Sequence, residues 1–273
     1  MAGLHLPAPK RADFSPQPHV EVLGVPIWNP DYQAFREWWQ AALSADGTAR
    51  ILGIVNAHTL NLAFERPGFH ACLRGMDVVL NDGLGAAIAA KMRGTEFIYN
   101  FNGTDLFPRL FSELDRTLRV YLYGSSVESN ARAAKVLEER YPHVKVVGRL
   151  HGFADPDLAA YSIAHSGADL LLVALGQPRQ ELFLIEHGEA LNVKVACGVG
   201  ALFDFLSGTA QRAPSWVRRA RMEWAYRLLR EPVRLFRRYV VGNPKFLVRA
   251  ALCARREAVE TAVRRQATTA QLQ

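Results

Sequence analysis

No apolar run in this chain approaches the roughly 18 to 20 consecutive residues that a membrane-spanning helix requires, because charges interrupt every one. Contact with a bilayer is therefore expected to be peripheral. Cysteine is scarce: Cys72, Cys197 and Cys253 are far apart, odd in number and without metal-ligand spacing, so they read as buried or spectator thiols. The histidines form no ligand set with acidic residues, and neither H-x-x-x-H nor H-E-x-x-H occurs, so no catalytic metal is expected. The full G-x-G-x-x-G pattern and the lysine of a P-loop are also missing, which argues against a standard dinucleotide fold and against an NTPase. Residues 1–18 hold four prolines among small, polar and basic residues, with no apolar h-region. They read as a disordered segment, neither a signal peptide nor an anchor, and the chain is expected to stay in the cytoplasm. There is no internal repeat, and the only low-complexity tract is the polar tail 266–273.

What is present is a globular composition. With 273 residues and 49% hydrophobic content, the chain can build one large α/β domain plus an appendage. From residue 19 to about 200, short β-branched runs alternate with helical stretches, the pattern of a parallel sheet with helical crossovers. Strands are expected at Val20–Leu23, Arg50–Asn56, Asp77–Asn81, Leu118–Tyr123, Val144–Val147, Asp169–Leu175 and Val193–Cys197. Helices are expected near 31–44, 59–66, 83–93, 105–115, 127–141, 156–165 and 178–190. The fold class that follows is α/β, a Rossmann-like mostly parallel sheet with helices on both faces. It would occupy residues 19–211, followed by a basic helical appendage over 212–265. Ligands of open parallel sheets bind outside the carboxyl ends of the strands, so the loops that follow them are the expected site wall.

Charge is divided unevenly along the chain. Segment 212–265 holds 15 Lys/Arg against 4 Asp/Glu, leaving 18 basic and 22 acidic residues elsewhere. That asymmetry points to an anionic partner for the segment alone. On a helical wheel, Arg227, Arg230, Arg234, Arg237 and Arg238 fall on one side and Trp224, Leu228, Leu235 and Tyr239 on the other, with Pro232 breaking or restarting the helix. A basic amphipathic helix with interleaved aromatics suits an anionic membrane surface, and a solvated helix face packed on the domain is the alternative.

Several strand ends carry groups that could do chemistry. Leu80-Asn81-Asp82-Gly83-Leu84-Gly85 puts a carboxylate where an apolar strand turns into a helix, so Asp82 is either a general base facing the cleft or a helix N-cap. Gly103-Thr104-Asp105-Leu106 is a second polar pair at a helix start, with capping as its default use. Gly124-Ser125-Ser126 offers backbone N–H groups and a helix N-terminus that could receive a diphosphate. Leu175-Gly176-Gln177-Pro178-Arg179-Gln180-Glu181 closes a buried strand and opens a helix with proline at its first turn. There Gln180 could bond sugar hydroxyls or a nucleotide, and Glu181 could hold an arginine. Gly198-Val199-Gly200 gives a further flexible turn near the same edge. In the absence of a metal, arginines would have to neutralise any diphosphate leaving group.

In order and spacing, these motifs resemble the WecG/TagA/CpsF family, glycosyltransferase family 26, from about Val20 to Leu247. The matching segments include Asn56-Ala57, Asp82-Gly83-Leu84-Gly85, Gly103-Thr104-Asp105-Leu106, Val120–Gly124, His151-Gly152-Phe153 and the Gln177–Glu181 run. They continue through Gly198–Gly208, Arg212-Ala213-Pro214, and Glu223-Trp224-Ala225-Tyr226-Arg227-Leu228, then Glu231-Pro232 and Arg237-Arg238-Tyr239. The resemblance implies a metal-independent, inverting transferase without a cofactor. It would move a sugar, often of N-acetylmannosamine type, from a UDP-sugar to a polyprenyl-diphosphate-linked saccharide at the inner face of the membrane. It places Asp82 as the base, Asn56 and Gln180 in the substrate pocket, and Arg212, Arg221, Arg227 and Arg238 as contacts to the donor diphosphate or the lipid phosphates. Thr104, Asp105, Gly124, Gln177, Glu181 and Gly200 complete the candidate substrate-binding set. Ile54 stands where many members carry threonine, and His58-Thr59 replaces a more usual acidic residue and its neighbour. Two other readings stay open: a nucleotide-binding oxidoreductase, because many activities share the alternating pattern, and a nucleic-acid-binding protein using the basic segment. No nucleic-acid partner is expected on the favoured reading, and the oligomeric state is left open, a homo-oligomer included.

Overall fold

The computed structural model describes residues 18–214, 216–217 and 222–271. The disordered segment expected over 1–18 falls outside them except for Pro18, and so does Arg221.

The chain starts with an antiparallel hairpin, β1 (His19–Val22) and β2 (Val25–Trp28), separate from the main sheet. Sequence pattern predicted only the first of these strands. The tight return at Leu23-Gly24 uses positive φ at both residues, +52° and +79°, as a two-residue hairpin turn demands. Leucine there hides the turn from a reading based on Gly, Asn and Asp signals.

Six strands then form one parallel sheet: β3 (Arg50–Val55), β4 (Val78–Asn81), β5 (Leu118–Gly124), β6 (Val144–Leu150), β7 (Leu170–Ala174) and β8 (Val195–Gly198). Their order is β4-β3-β8-β7-β5-β6. Both faces are covered, which is why the strands are nearly continuous apolar runs. On one face Ile51, Val55, Leu171 and Val173 meet α2 (Ala57–Glu65), α3 (Pro67–Arg74), α4 (Gly83–Met92), α7 (Pro156–Ala164) and α8 (Arg179–His187). On the other, Leu52, Leu122 and Leu172 meet α1 (Tyr32–Ser44), α5 (Gly103–Ser112), α6 (Val127–Arg140) and α9 (Leu202–Leu206). Residues one apart on a strand point to opposite faces, so each strand feeds two cores.

Helix α3 was not legible as a separate element. Arg66 is extended, as a residue before proline prefers, and Pro67 opens the new helix at its first position. Phe69, Cys72 and Leu73 then bury one face.

From Glu223 onward the chain is helical: α10 (Glu223–Arg230), α11 (Pro232–Phe236), a π-helical turn over Arg237–Val241, and α12 (Gly242–Gln271). The break expected at Pro232 is present between α10 and α11. α12 carries helix into the stretch read as a polar tail, as far as Gln271. Its first turns belong to the main core, where Phe246 and Ala250 are buried. Among the described residues no helix is long and apolar enough to cross a membrane.

Candidate active site

Strand β4 is buried along its length and delivers Asp82 to the carboxyl edge of the sheet. The Asp82 amide donates to the Val55 carbonyl at 2.8 Å, continuing the β3–β4 ladder by one residue. Asp82 occupies the N-cap position of α4, yet its side chain makes no capping hydrogen bond. The side chain therefore does not serve as the cap. The carboxylate instead accepts from Asn102 Nδ2 at 3.2 Å. Gly83 takes φ of +86° and donates its N–H to Asn100 Oδ1 at 2.7 Å, which ties the start of α4 to the loop that precedes α5.

Asp82 is half-buried at the carboxyl edge of the sheet. Burial, then the negative charge of Glu223, pushes its carboxyl up to about 6, and Arg238 and the Asn102 bond oppose the rise. His58, at the start of α2, goes the other way: burial, then the positive charge of Arg238, pulls it down to about 4, so it is neutral at physiological pH.

The neighbouring polar positions divide into caps and contacts. Asn56 caps α2, its Oδ1 accepting from the His58 and Thr59 amides at 3.0 and 3.2 Å, while Thr59 Oγ1 accepts from the Asn56 amide. Asn102 caps α5 by accepting from the Thr104 amide at 2.9 Å, so neither Thr104 nor Asp105 is the cap. Asp105 takes a 2.6 Å bond from Arg212 Nη1, which also donates to the Thr104 carbonyl at 3.2 Å.

Three arginines from beyond residue 211 converge on this edge. Arg212 also approaches Glu223, with Nε 3.8 Å from Oε1. The Arg212 and Arg227 guanidinium groups lie 5.8 and 5.5 Å from the ring centre of Phe205 on α9. Arg238 is close enough to Asp82 and Arg227 for its charge to act on both. Buried nitrogens of all three find no hydrogen-bond partner among the described residues: Arg212 Nε and Nη2, Arg227 Nε and Arg238 Nε. Buried guanidinium nitrogens without acceptors are costly, and an anion brought among them would satisfy several at once. Arg221 lies outside the described residues.

The inward position of these side chains corrects the expectation of one basic face turned outward. Arg227 and Arg238 are half-buried, Arg230, Arg234 and Arg237 are exposed, and Leu229, Val233 and Phe236 are exposed beside them. The break at Glu231-Pro232 and the π turn change the helical phase twice, so a single 100° wheel cannot follow the segment.

Other predicted residues lie along the same edge but do different work. Gly124 pairs with Ala174 and takes φ of +128°, and Ser125 follows at +58°. The Ser125 amide is already used by the Ala174 carbonyl at 2.9 Å, and Ser126 caps α6. Asp204 Oδ1 accepts from Ser125 and Ser129 at 2.7 and 2.9 Å. A diphosphate placed there would face that carboxylate, so the anion-binding role expected of Gly124-Ser125-Ser126 does not fit the geometry. Gln180 is also turned away from its expected role. It is buried behind the β8–α9 turn, where its Oε1 accepts from the Gly200 amide at 3.1 Å and its Nε2 donates to Glu181 Oε1 at 2.9 Å. Glu181 thus holds an amide rather than an arginine, and Gln177 bonds it as well. Burial pushes the Glu181 carboxyl up to about 7. Pro178 stands at the N-cap of α8 instead of inside its first turn.

Asn102 and Phe205 are the residues that the sequence did not place in the site, and His58 was marked only as a departure from the family pattern. Asn102 precedes a Gly-Thr-Asp helix start, a visible capping signal, but its bond to Asp82 spans 20 residues and left no trace in local pattern. Asp155 and Asp157 have the D-x-D spacing found at some cation sites. Here Asp155 is spent on capping α7, accepting from the Asp157 and Leu158 amides at 3.0 Å each. Among the described residues no three His, Cys, Asp or Glu side chains converge as a metal cluster.

The sequence model of the Glycosyl transferase WecG/TagA/CpsF family matches residues 20–260. An N-acetylglucosaminyldiphosphoundecaprenol N-acetyl-beta-D-mannosaminyltransferase of Bacillus spizizenii is 34% identical over 187 residues, covering 68% of this chain and 72% of the relative. A protein of the same name from Bacillus subtilis is 27% identical over 227 residues, covering 82% and 88%.

Proposed function

The chain belongs to the WecG/TagA/CpsF glycosyltransferase family, and from that premise we propose that it transfers an N-acetylmannosamine-type sugar from a UDP-sugar to a polyprenyl-diphosphate-linked saccharide. The relatives' names support the sugar and the acceptor class. The observation that carries the mechanism is the pairing of a carboxylate left free of its helix with three guanidinium groups whose buried nitrogens lack acceptors.

Asp82 accepts the proton of the acceptor hydroxyl as its oxygen attacks the anomeric carbon. The new C–O bond forms while the bond to the β-phosphate oxygen breaks, and UDP departs with the electron pair. A single displacement inverts the anomeric centre. Arg212, Arg227 and Arg238 take up the negative charge that grows on the leaving diphosphate, which is where preorganised charge lowers a barrier most. These guanidinium groups supply the countercharge that a divalent ion supplies in other transferases, so the reading is metal-independent. Asn102 orients Asp82, and Glu223 and Asp105 hold Arg212 at its place in the cleft. A carboxyl raised to about 6 is mostly ionised at physiological pH and still basic enough to take a proton. The enzyme would work at the inner face of the cell membrane, because its acceptor is anchored in lipid.

The test is Asp82→Asn, assayed by UDP release with a short-chain polyprenyl diphosphate saccharide and a panel of UDP-sugars. We expect a loss of about 100-fold or more. Turnover within about threefold of wild type would remove Asp82 as the base.

A further inference from the structure

The Arg238 guanidinium reaches the cleft from a turn whose position is set by one buried amide far along α2. Asn61 lies five residues past the Asn56 cap and is only 6% exposed. Both ends of its amide are used. Its Nδ2 donates to the Gly242 carbonyl at 2.7 Å, and its Oδ1 accepts from Arg249 Nη1 at 2.9 Å. One turn later, Glu65 Oε1 accepts from Lys245 Nζ at 2.6 Å and lies 2.9 Å from Arg249 Nη2. Gly242 is the residue that closes the π turn, its amide donating to the Arg237 carbonyl. Arg238 sits inside that turn.

Helix geometry alone does not call for an amide at position 61. Gly242 opens a continuous α-helix, whose own ladder engages its carbonyl. The bond from Asn61 is therefore additional to what the helix needs, and it is made at the cost of burying a polar group. What it does fix is phase. A π turn carries an extra residue and so changes the helical phase across it, and π turns of this kind recur at functional sites. With Gly242 pinned to α2, Arg238 is half-buried with its charge within reach of Asp82, while Arg234 and Arg237 stay exposed. The same helix α2 carries Asn56 and His58 at its other end, so one rigid element sets both the floor residues and the register of the turn above them.

We propose that Asn61 is a positioning residue: by holding the Gly242 carbonyl it locks the π turn in the rotation that sets Arg238 against Asp82 and the donor diphosphate. It touches no reacting atom. The proposal rests on the role given above to Arg238.

Asn61→Asp isolates the contact, because a carboxylate keeps the acceptor for Arg249 and loses the donor to Gly242. Asn61→Leu removes both and serves as a second variant should the first fold poorly. Each is made alone and together with Arg238→Ala in the full-length chain. The readouts are kcat and KM for the UDP-sugar, the pH profile of kcat/KM, and thermal melting. The groups facing Asp82 are Arg238 on the π turn, Glu223 on α10, Asp105 and Asn102 at α5, and Arg212, and Arg238 in turn neighbours neutral His58. Withdrawing Arg238 leaves the two carboxylates unopposed on that side, so the acidic limb of the profile moves to higher pH.

Asn61→Asp is expected to lower kcat/KM by about tenfold, with most of the loss in kcat, and to shift the acidic limb upward as Arg238→Ala does. The double variant should match Arg238→Ala alone. Losses that multiply in the double variant, with the limb unmoved, would overturn the proposal while leaving the role of Arg238 intact. An Arg238→Ala enzyme with wild-type kinetics would overturn that role, and this proposal with it.

Discussion

Two carboxylates of this enzyme are pushed upward by burial, and they are used differently. Asp82 is half-buried at the sheet edge, and on the proposed mechanism its carboxyl near 6 exchanges a proton with the acceptor. Glu181 is sealed behind the β8–α9 turn, with Cys72 and Cys197 near enough to feel its charge, and its carboxyl rises to about 7. A folded-state value above the ordinary 4.5 means that the folded protein binds the proton more tightly than the unfolded chain does. Its penalty is absent below pH 4.5, grows as pH rises, and is complete above about 7. Glu181→Gln removes that penalty while keeping an oxygen for Gln180. Relative to wild type it should melt at nearly the same temperature at pH 5 and a few degrees higher at pH 8, for about 1–2 kcal/mol. Salt-bridged groups such as Glu65 and Asp169, whose carboxyls are lowered, titrate in a more acid window and cancel in the comparison. Paired melts at the two pH values check this, and an equal offset at both would refute it.

At the scale of elements, the cleft is a row of strand ends whose spacing depends on close backbone approach. Gly124 closes β5 against Ala174 of β7, and a Cβ at that position would lie 2.4 Å from the Ala174 carbonyl carbon and oxygen. Gly83 also has positive φ, but nothing lies within 4 Å of its would-be Cβ. Gly124→Ala should therefore cost roughly 3–5 kcal/mol, from backbone strain and from forcing two strands apart, whereas Gly83→Ala costs only strain, about 1–2 kcal/mol. Urea denaturation of the two variants measures the difference, and equal losses would contradict it. Much of this architecture was legible in the sequence. Apolar runs marked all six strands of the sheet, because a parallel sheet covered on both faces needs continuous apolar strands. Asp82 was legible as a strand-end carboxylate, and Pro232 as a break. The hairpin was half lost because Leu23 adopts a conformation that leucine rarely signals. Gln180 and Glu181 read as substrate-binding chemistry, since a polar pair bonded to each other inside the protein leaves no pattern of its own. Arg227 and Arg238 were singled out by the family resemblance, whereas the helical wheel grouped them with the outward Arg230, Arg234 and Arg237, because no periodicity announces the π turn that follows the break at Pro232.

Across the whole molecule, the uneven charge resolves into two surfaces on one short segment. Arg212, Arg227 and Arg238 turn buried, unpartnered nitrogens inward, where the proposed diphosphate would leave. Arg230, Arg234 and Arg237 face outward, interleaved with Leu229 at 81% exposure, Val233 at 96% and Phe236. The outer set has the composition of a peripheral membrane contact, basic side chains for anionic headgroups and apolar ones for the acyl boundary, with about 1 kcal/mol for each basic residue near the lipid. Removing everything beyond residue 211 would not test this, because Phe246 and Ala250 of α12 complete the core over α2 and α4. Substitution on the outer face does. Leu229→Ser with Val233→Ser withdraws two side chains, each worth roughly 1.5–3 kcal/mol when fully buried. Partial insertion still leaves an expected loss of at least tenfold in partitioning to vesicles rich in anionic lipid, read by sedimentation. Transfer to a short-chain, water-soluble acceptor should be unaffected, since neither side chain reaches the cleft, while transfer to acceptor embedded in vesicles should fall with the partitioning. Vesicle binding that survives the double substitution, or that is equally strong on neutral lipid, would place the membrane contact elsewhere on the molecule.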